Sequence, residues 1–177
     1  CSLLLWSMSQ GDVERLDYLG ALSFTTVDFQ IGEPVQSGCL PKGLEVDPTG
    51  RFLFVANMNG NCNTLRQGHR AEGSVSIIDI QARKIEKHLL TPRGGKNFGN
   101  VEIVFTPDGR YALAVRIDGD ENSYGGKHGL VNIINTKTHQ LVRVIPTRGS
   151  GSKIIAVKPS SPGDPSIAYV ANWFSND

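Results

Sequence analysis

One stretch of the chain, residues 43–80, constrains the fold more than any other. Short apolar runs alternate here with a turn that contains proline and glycine and with a polar loop. This order predicts strand, tight turn, strand, long loop, strand. The turn at 48–51 returns at 107–110, and the strand at 74–80 returns at 130–136. The internal repeat therefore predicts a tandem of small, similar β units.

Each unit is predicted to contain up to four strands, which we call a, b, c and d. The predicted strands are b 3–7, c 13–18 and d 24–31 in the first unit; a 43–46, b 52–57, c 74–80 and d 85–90 in the second; a 101–105, b 111–117, c 130–135 and d 141–145 in the third; and a 153–158 and b 166–172 in the fourth. The second and third units are complete.

A single four-stranded sheet cannot bury both of its faces. Sheets of this kind that stack around an axis form a β-propeller. We therefore predict an all-β fold, a β-propeller of four-stranded antiparallel blades. The predicted boundaries are a partial blade at 1–38, blades at 39–95 and 96–149, and a partial blade at 150–177.

The repeated residues also resemble a known family. Phe-Val-Ala-Asn at 54–57, Tyr-Val-Ala-Asn at 169–172, the Pro-Thr/Asp-Gly-Arg turns and the Val-Ser-Ile-Ile-Asp strand resemble the YVTN-type repeat of roughly forty residues. That repeat builds propellers in surface-layer-like proteins, lactonase-like proteins and the large subunits of quinoprotein amine dehydrogenases. The resemblance implies the fold and an extracytoplasmic location, but no activity. The third unit departs from it, because Val115-Arg116 stands where Ala-Asn is expected.

About three blades can be counted, whereas propellers close with four to eight. We expect this segment to be part of a larger propeller of seven or eight blades. The alternative is that copies of the chain complete one another by pairing their terminal strands.

Net charge and hydropathy argue against a nucleic-acid partner and against a membrane-spanning segment. The formal net charge is +1, so no charge field indicates binding to nucleic acid. No apolar window reaches the length of a transmembrane helix, so no membrane-spanning segment is expected.

The long loops all belong to one end of the predicted sheets. The b–c loops and d–a connections at 32–42, 58–73, 91–100 and 118–129 share that end, and the short hairpin turns lie at the other. Long loops on a rigid scaffold are common binding sites, although they can be tolerated insertions. We predict a binding or structural scaffold for a protein partner or for further copies. The alternatives are a fragment of a lactonase-like or amine-dehydrogenase-like enzyme, and a surface-layer or filament module.

Basic and histidine side chains in these loops are the candidate ligand-binding residues. His69, with Arg70 beside it, and His128 occupy equivalent b–c loops, and histidines there can bind ligands or transfer protons. Lys153 ends a glycine-rich basic segment that could bind an anion, and Arg116 replaces the expected Asn. The alternative is that the histidines are merely solvated and that the glycines only allow tight turns.

Asp118, Asp120 and Asn122 have the alternate spacing with which a calcium loop begins. The glycine and glutamate expected later in such a loop are missing. A calcium ion is therefore the one cofactor that the sequence suggests, against a solvated acidic loop.

Cys39 and Cys62 are predicted to lie at the same end of one sheet, on either side of a hairpin. A disulfide between them is possible and would imply an oxidising compartment. The alternative is two unpaired thiols.

Overall fold

The computed structural model describes residues 37–59, 73–91, 99–117, 128–159, 161 and 166–175. All of them belong to one compact unit, residues 35–177. Within these ranges the chain is all-β and contains no helix, hence none that could cross a membrane. The strands predicted before residue 37 lie outside the described residues.

The described strands form two four-stranded sheets and one two-stranded sheet. Sheet 1 contains β1 (Cys39–Val46), β2 (Phe52–Asn59), β3 (Ser74–Asp79) and β4 (Lys84–Leu90); sheet 2 contains β5 (Asn100–Phe105), β6 (Tyr111–Arg116), β7 (Leu130–Asn135) and β8 (Gln140–Pro146); sheet 3 contains β9 (Ser152–Val157) and β10 (Ala168–Asn172). Neighbouring strands follow in chain order and are antiparallel. The predicted order of strands a to d is confirmed in sheets 1 and 2, and sheet 3 provides an a and a b strand.

Strand β1 is longer than predicted, because it begins at Cys39 and not at Gly43. Pro41 lies within it and pairs with Asn57. Proline cannot donate to a sheet ladder, so it is tolerated mainly on edge strands. β1 is the edge strand of sheet 1, which explains why the proline does not end it.

The first a–b turn is specified by its own side chains. Gly50 has a φ of 74°, and its amide donates to the Asp47 carbonyl at 2.8 Å. The Asp47 carboxylate accepts the Phe52 amide at 2.6 Å, and the Thr49 hydroxyl accepts the Arg51 amide at 3.3 Å. The Thr49 hydroxyl also donates to the Asp47 carboxylate at 2.5 Å. The predicted local origin of this hairpin is therefore confirmed.

The second a–b turn exchanges the aspartate and the threonine of turn 47–51 and keeps the same hydrogen bonds. Here the Thr106 hydroxyl accepts the Tyr111 amide at 3.1 Å, and the Asp108 carboxylate accepts the Arg110 amide at 3.0 Å. The Thr106 hydroxyl donates to Asp108 at 2.7 Å. Hydrogen bonds from Thr106 and from the Arg110 backbone and side chain lower the pKa of Asp108 to about 2. The turn therefore needs one aspartate and one threonine, in either order.

This exchange makes a double-mutant prediction. We expect Thr49→Asp alone to lower the free energy of unfolding by about 1–2 kcal/mol, because it places a second carboxylate against Asp47. The double variant Asp47→Thr/Thr49→Asp should return to within about 0.5 kcal/mol of the wild type, because it recreates the Thr106 and Asp108 arrangement. Urea unfolding at pH 7 measures both. A double variant as unstable as the single one would show that the two arrangements are not interchangeable.

The three sheets pack face to face around two buried clusters. The first buried cluster joins sheets 1 and 2 and contains Phe54, Ala56, Val75, Ile77, Ile103, Ala112, Ala114 and Ile134. The second joins sheets 2 and 3 and contains Val101, Leu113, Val115, Ile117, Val131 and Ile155. Adjacent residues of β6, Ala112 and Leu113, belong to different clusters. Sheet 2 therefore buries both of its faces, one against each neighbour.

The backbones of sheets 1 and 2 approach so closely at one point that only glycine fits. A Cβ added to Gly99 would lie 2.3 Å from the carbonyl oxygen of Met58 and 2.6 Å from the Cα of Gly73. These neighbours are backbone atoms, which cannot rotate away as a side chain can. This contact sets the spacing of the two sheets where β2 ends and β5 begins.

His139 lies in the junction of sheets 1 and 2. Its ring meets Phe52 edge to face at a centroid distance of 4.7 Å and Phe54 at 5.9 Å. Burial lowers the pKa of His139, and the carboxylates of Glu86 and Asp47 oppose this effect without cancelling it. The imidazole is therefore uncharged at neutral pH.

Candidate functional site

Each of the three a strands carries a β-bulge near its beginning. In β1, Lys42 and Gly43 lie opposite the single residue Ala56. In β5 the extra residue is Val101, and in β9 it is Lys153. A bulge disrupts the ladder locally and turns its extra residue away from the regular pleat. Three sheets thus present unpaired positions at the same end, where the b–c loops and d–a connections lie.

These bulge residues line one cleft of about 430 Å³, which we call the bulge cleft. Its walls come from all three sheets and the turn after β10: Lys42, Gly43, Met58, Val101, Glu102, Ile117, Lys153, Ile154 and Trp173. Most of these side chains are apolar, and a few carry charge. A concave apolar surface with a few charged groups is the usual form of a ligand site.

An aromatic platform supports the charge of Lys153. The Lys153 Nζ lies 3.9 Å from the centroid of the Trp173 ring. Trp173 in turn stacks on Phe174, with centroids 5.2 Å apart and planes 15° apart. A cation held over an indole face is stabilised by the ring quadrupole. The contact with Trp173 therefore holds the Lys153 ammonium near the cleft without neutralising its charge.

Glu102, which lines the bulge cleft, makes a hydrogen bond between two sheets. Its carboxylate accepts the backbone amide of Ile155 at 2.8 Å and so joins β5 to β9. The pKa of nearby Glu45 is raised, first by burial and then by the charge of Glu102. Among the residues that line the cleft, Lys42 and Lys153 stand against the single carboxylate of Glu102, and Glu45 lies outside the lining, so the lining itself has an excess of positive charge. It is suited to an anion.

A buried hydrogen-bond network fixes the strand ends behind the cleft. The Thr91 hydroxyl donates to the Gly73 carbonyl at 2.8 Å and accepts from the side-chain amide of Asn100 at 3.1 Å. The next sheet repeats this arrangement with the hydroxyls of Thr147 and Ser152, 2.7 Å apart. Each threonine thus connects the end of a d strand with the start of the next a strand. Buried hydrogen bonds of this kind hold the strand ends in place, which favours a preformed site.

The structure separates the residues predicted to bind ligand. Lys153 lines the bulge cleft. Arg116 ends β6 and is only 2% exposed, and His128 is exposed before β7; neither lines the cleft. The predicted residues that lie outside the described ranges are His69, Arg70, Asp118, Asp120, Asn122 and Cys62. The binding roles of the histidines, the arginines and Lys153, the calcium site and the disulfide of Cys62 all stay predictions. Among the described residues, no cluster of three His, Cys, Asp or Glu could hold a metal ion.

The glycines of segment 148–153 are explained by packing. Gly151 has a φ of 73°, and a Cβ there would lie 2.1 Å from the Phe174 ring. A Cβ on Gly149 would lie 2.2 Å from the Asn172 side-chain nitrogen. The turn after β10 therefore lies directly on this segment. Close packing thus requires glycine at these two positions, and anion binding by the segment stays a prediction.

Cys39, at the start of β1, is disulfide-bonded. Its partner is one of the two other cysteines of the chain, Cys1 and Cys62, and both lie outside the described residues. The predicted pairing of Cys39 with Cys62 stays a prediction.

The charged and aromatic residues of the bulge cleft that the sequence analysis did not identify are Lys42, Glu102 and Trp173. A signal for Lys42 exists, because it stands two positions before Leu44 as Lys153 stands two before Ile155. Leu44 and Ile155 pair with equivalent positions of their b strands. An alignment of the a strands alone would thus have placed the two lysines together.

The chain was compared with solved structures. Hydrazine synthase of Kuenenia stuttgartiensis matches with a TM-score of 0.53 and 17% identity, over 71% of this chain and 30% of that one. A eukaryotic initiation factor matches with a TM-score of 0.42 and 10% identity, over 74% and 26%. No protein-family profile and no curated protein matches the sequence. The chain thus spans under a third of these structures, and the first likeness, with the antiparallel sheets, is consistent with a β-propeller-like fold.

Proposed function

We propose that this chain is a segment of a seven- or eight-bladed β-propeller of the YVTN-repeat kind and acts as an extracytoplasmic binding scaffold. Three consecutive antiparallel sheets and the likeness to hydrazine synthase support the propeller. The disulfide at Cys39 supports an oxidising compartment, because disulfides are rare in the cytosol.

The bulge cleft carries the proposal for function. It combines apolar walls from three sheets with Lys42, Lys153 and Trp173 at the loop end. The partner that fits is a protein that inserts an apolar side chain next to a carboxylate. The apolar group would occupy the walls of the cleft, and the carboxylate would meet the two ammonium groups.

The test uses a dansyl-labelled Gly-Leu-Phe peptide with a free C-terminal carboxylate, titrated with the protein. We expect Lys153→Gln to weaken its binding by about five- to tenfold, because the substitution removes a charged contact worth roughly 1–1.5 kcal/mol. Lys42→Gln should act in the same direction. Fluorescence anisotropy measures the Kd.

Two controls distinguish binding in the bulge cleft from nonspecific attraction to positive charge. The C-terminal amide of the same peptide should bind more weakly than the acid. Lys137→Gln removes the same charge from the exposed turn at the other end of sheet 2 and should leave the Kd unchanged. Equal Kd values for acid and amide, or equal losses in Lys137→Gln and Lys153→Gln, would refute the proposal.

A further inference from the structure

The c–d turn of sheet 2 places a histidine against the b strand of sheet 1. His139 has a φ of 53°, in the left-handed region, and its amide donates to the Asn135 carbonyl at 2.9 Å. The Asn135 side chain accepts the amides of Lys137 and Thr138 at 3.0 and 2.9 Å. The turn is therefore closed by its own hydrogen bonds and presents the His139 ring to sheet 1.

The His139 ring lies against two phenylalanine rings. The Phe52 ring meets it edge to face with centroids 4.7 Å apart, and the Phe54 ring does so at 5.9 Å. Its Nε2 atom is buried, and none of the residues that the structure describes forms a hydrogen bond with it. A neutral imidazole has one N–H and one acceptor nitrogen, so a proton on Nδ1 leaves only a lone pair at Nε2. The neutral ring therefore fits this place at modest cost.

Protonation of His139 removes this fit. Both nitrogens of an imidazolium carry a proton, so Nε2 becomes a charged donor with no acceptor among the described residues. A buried donor that lacks an acceptor loses its hydration without compensation, and the loss is larger for a charged group. Burial accordingly lowers the pKa of His139. The junction of sheets 1 and 2 thus accepts the ring in its neutral form and opposes its charged form.

Four charged groups of sheet 1 act on the ring. Glu86 and Lys87 lie on β4, and Asp47 and Arg51 belong to the turn between β1 and β2. The two carboxylates favour a charged imidazole and the two basic groups oppose it, and burial outweighs the carboxylates. The Asp47 carboxylate also accepts the Phe52 amide at 2.6 Å. It therefore cannot turn towards an imidazolium without breaking the a–b turn.

We infer that protonation of His139 releases the c–d turn of sheet 2 from Phe52 and Phe54, so that acid opens the junction of sheets 1 and 2 at its turn end. The other end of the junction is held by the backbone contact of Gly99 with Met58, which contains no titratable group. The opening is thus confined to the end opposite the bulge cleft. This acid-sensitive contact does not depend on what the cleft binds.

The sign of the pH dependence follows from the lowered pKa of His139. The unfolded chain takes up a proton on this histidine as the pH falls below about 6.5, whereas the folded chain does so only at lower pH. Folding stability therefore decreases as the pH falls from about 6.5 towards the pKa of the folded chain, below which the loss is complete.

The test compares urea unfolding at about pH 7.5 and about pH 5, a range in which histidine changes its charge. Over this range the unfolding equilibrium constant of the wild type should rise at least about threefold more than that of His139→Asn. Asparagine tolerates a positive φ, so the turn still forms, and the comparison of two pH values cancels the packing that the variant loses at both. His128→Asn makes the same substitution at an exposed histidine and should keep the wild-type pH dependence.

A second measurement distinguishes release of the turn from a general loss of stability. Nuclear Overhauser effects join the ring protons of His139 and Phe52 in the folded protein, and their absence in His139→Asn assigns them. We expect these effects at about pH 7.5 and expect them to vanish as the His139 ring signal shows protonation, while the far-ultraviolet circular dichroism still shows a folded chain.

Three outcomes would overturn the inference. One is a pH dependence of the wild type that is equal to or smaller than that of His139→Asn. Another is an equal change of pH dependence in His128→Asn and His139→Asn. The third is a set of Overhauser effects that persists once the ring is protonated, because the phenylalanine rings would then hold the cation in place.

Discussion

Phe54→Ala should lower the free energy of unfolding by about 3–5 kcal/mol, the usual range for removing a fully buried phenylalanine. Phe54 is 0% exposed and lies between sheets 1 and 2. Its ring meets the Phe105 ring edge to face at 5.2 Å. The substitution leaves a cavity that the flat faces of two sheets cannot close. Urea unfolding followed by circular dichroism measures the loss.

Tyr169→Ala is the matched control, because Tyr169 holds the equivalent place in sheet 3 and is 61% exposed. Its loss should stay below about 1 kcal/mol, as is usual for surface positions. Equal losses of unfolding free energy in Phe54→Ala and Tyr169→Ala would contradict the conclusion that Phe54 lies on a buried face and Tyr169 on an exposed one.

Gly99→Ala should lower the free energy of unfolding by about 3 kcal/mol, because the added methyl group must push two backbones apart. The methyl group would lie 2.3 Å from the carbonyl oxygen of Met58. Sheet 1 or the start of β5 must therefore move. Thermal and urea unfolding both measure the effect.

Gly50→Ala is the control for this second prediction. Gly50 has a φ of 74° and open space around its Cβ position, so the variant tests backbone strain without a clash. It should cost about 1 kcal/mol, the penalty of a left-handed conformation for a residue with a side chain. If Gly99→Ala were no worse than Gly50→Ala, the close approach of the sheets would not limit stability.

Most of the strand pattern could be predicted because its causes are local. Proline and glycine at fixed offsets specify the a–b turns, and alternating apolar residues define the strands that they connect. The start of β1 could not be predicted, because Pro41 argues against a strand unless the strand is known to be at an edge. Edge position is a property of the assembled sheet and is not visible in the local sequence.

The candidate site was predicted only in small part. Lys153 was identified through its glycine-rich neighbours, whereas Glu102 carries no local signal, because its role depends on the Ile155 amide of another sheet. The same limit applies to His139, which lies in the c–d turn of sheet 2 and contacts Phe52 and Phe54 of sheet 1. The roles of Glu102 and His139 both depend on contacts between sheets, which the periodicity of a single strand does not reveal.

The three bulges have a consequence for how such a protein can change over evolutionary time. Lys42, Val101 and Lys153 stand outside the regular ladder, so a substitution there alters the cleft and spares the pairing of the strands. Lys42 and Lys153 are exposed as well as unpaired, so these two side chains are insulated from folding, whereas Val101 belongs to the second buried cluster. Selection can vary the polarity of the cleft at Lys42 or Lys153 separately, and a designer could do the same.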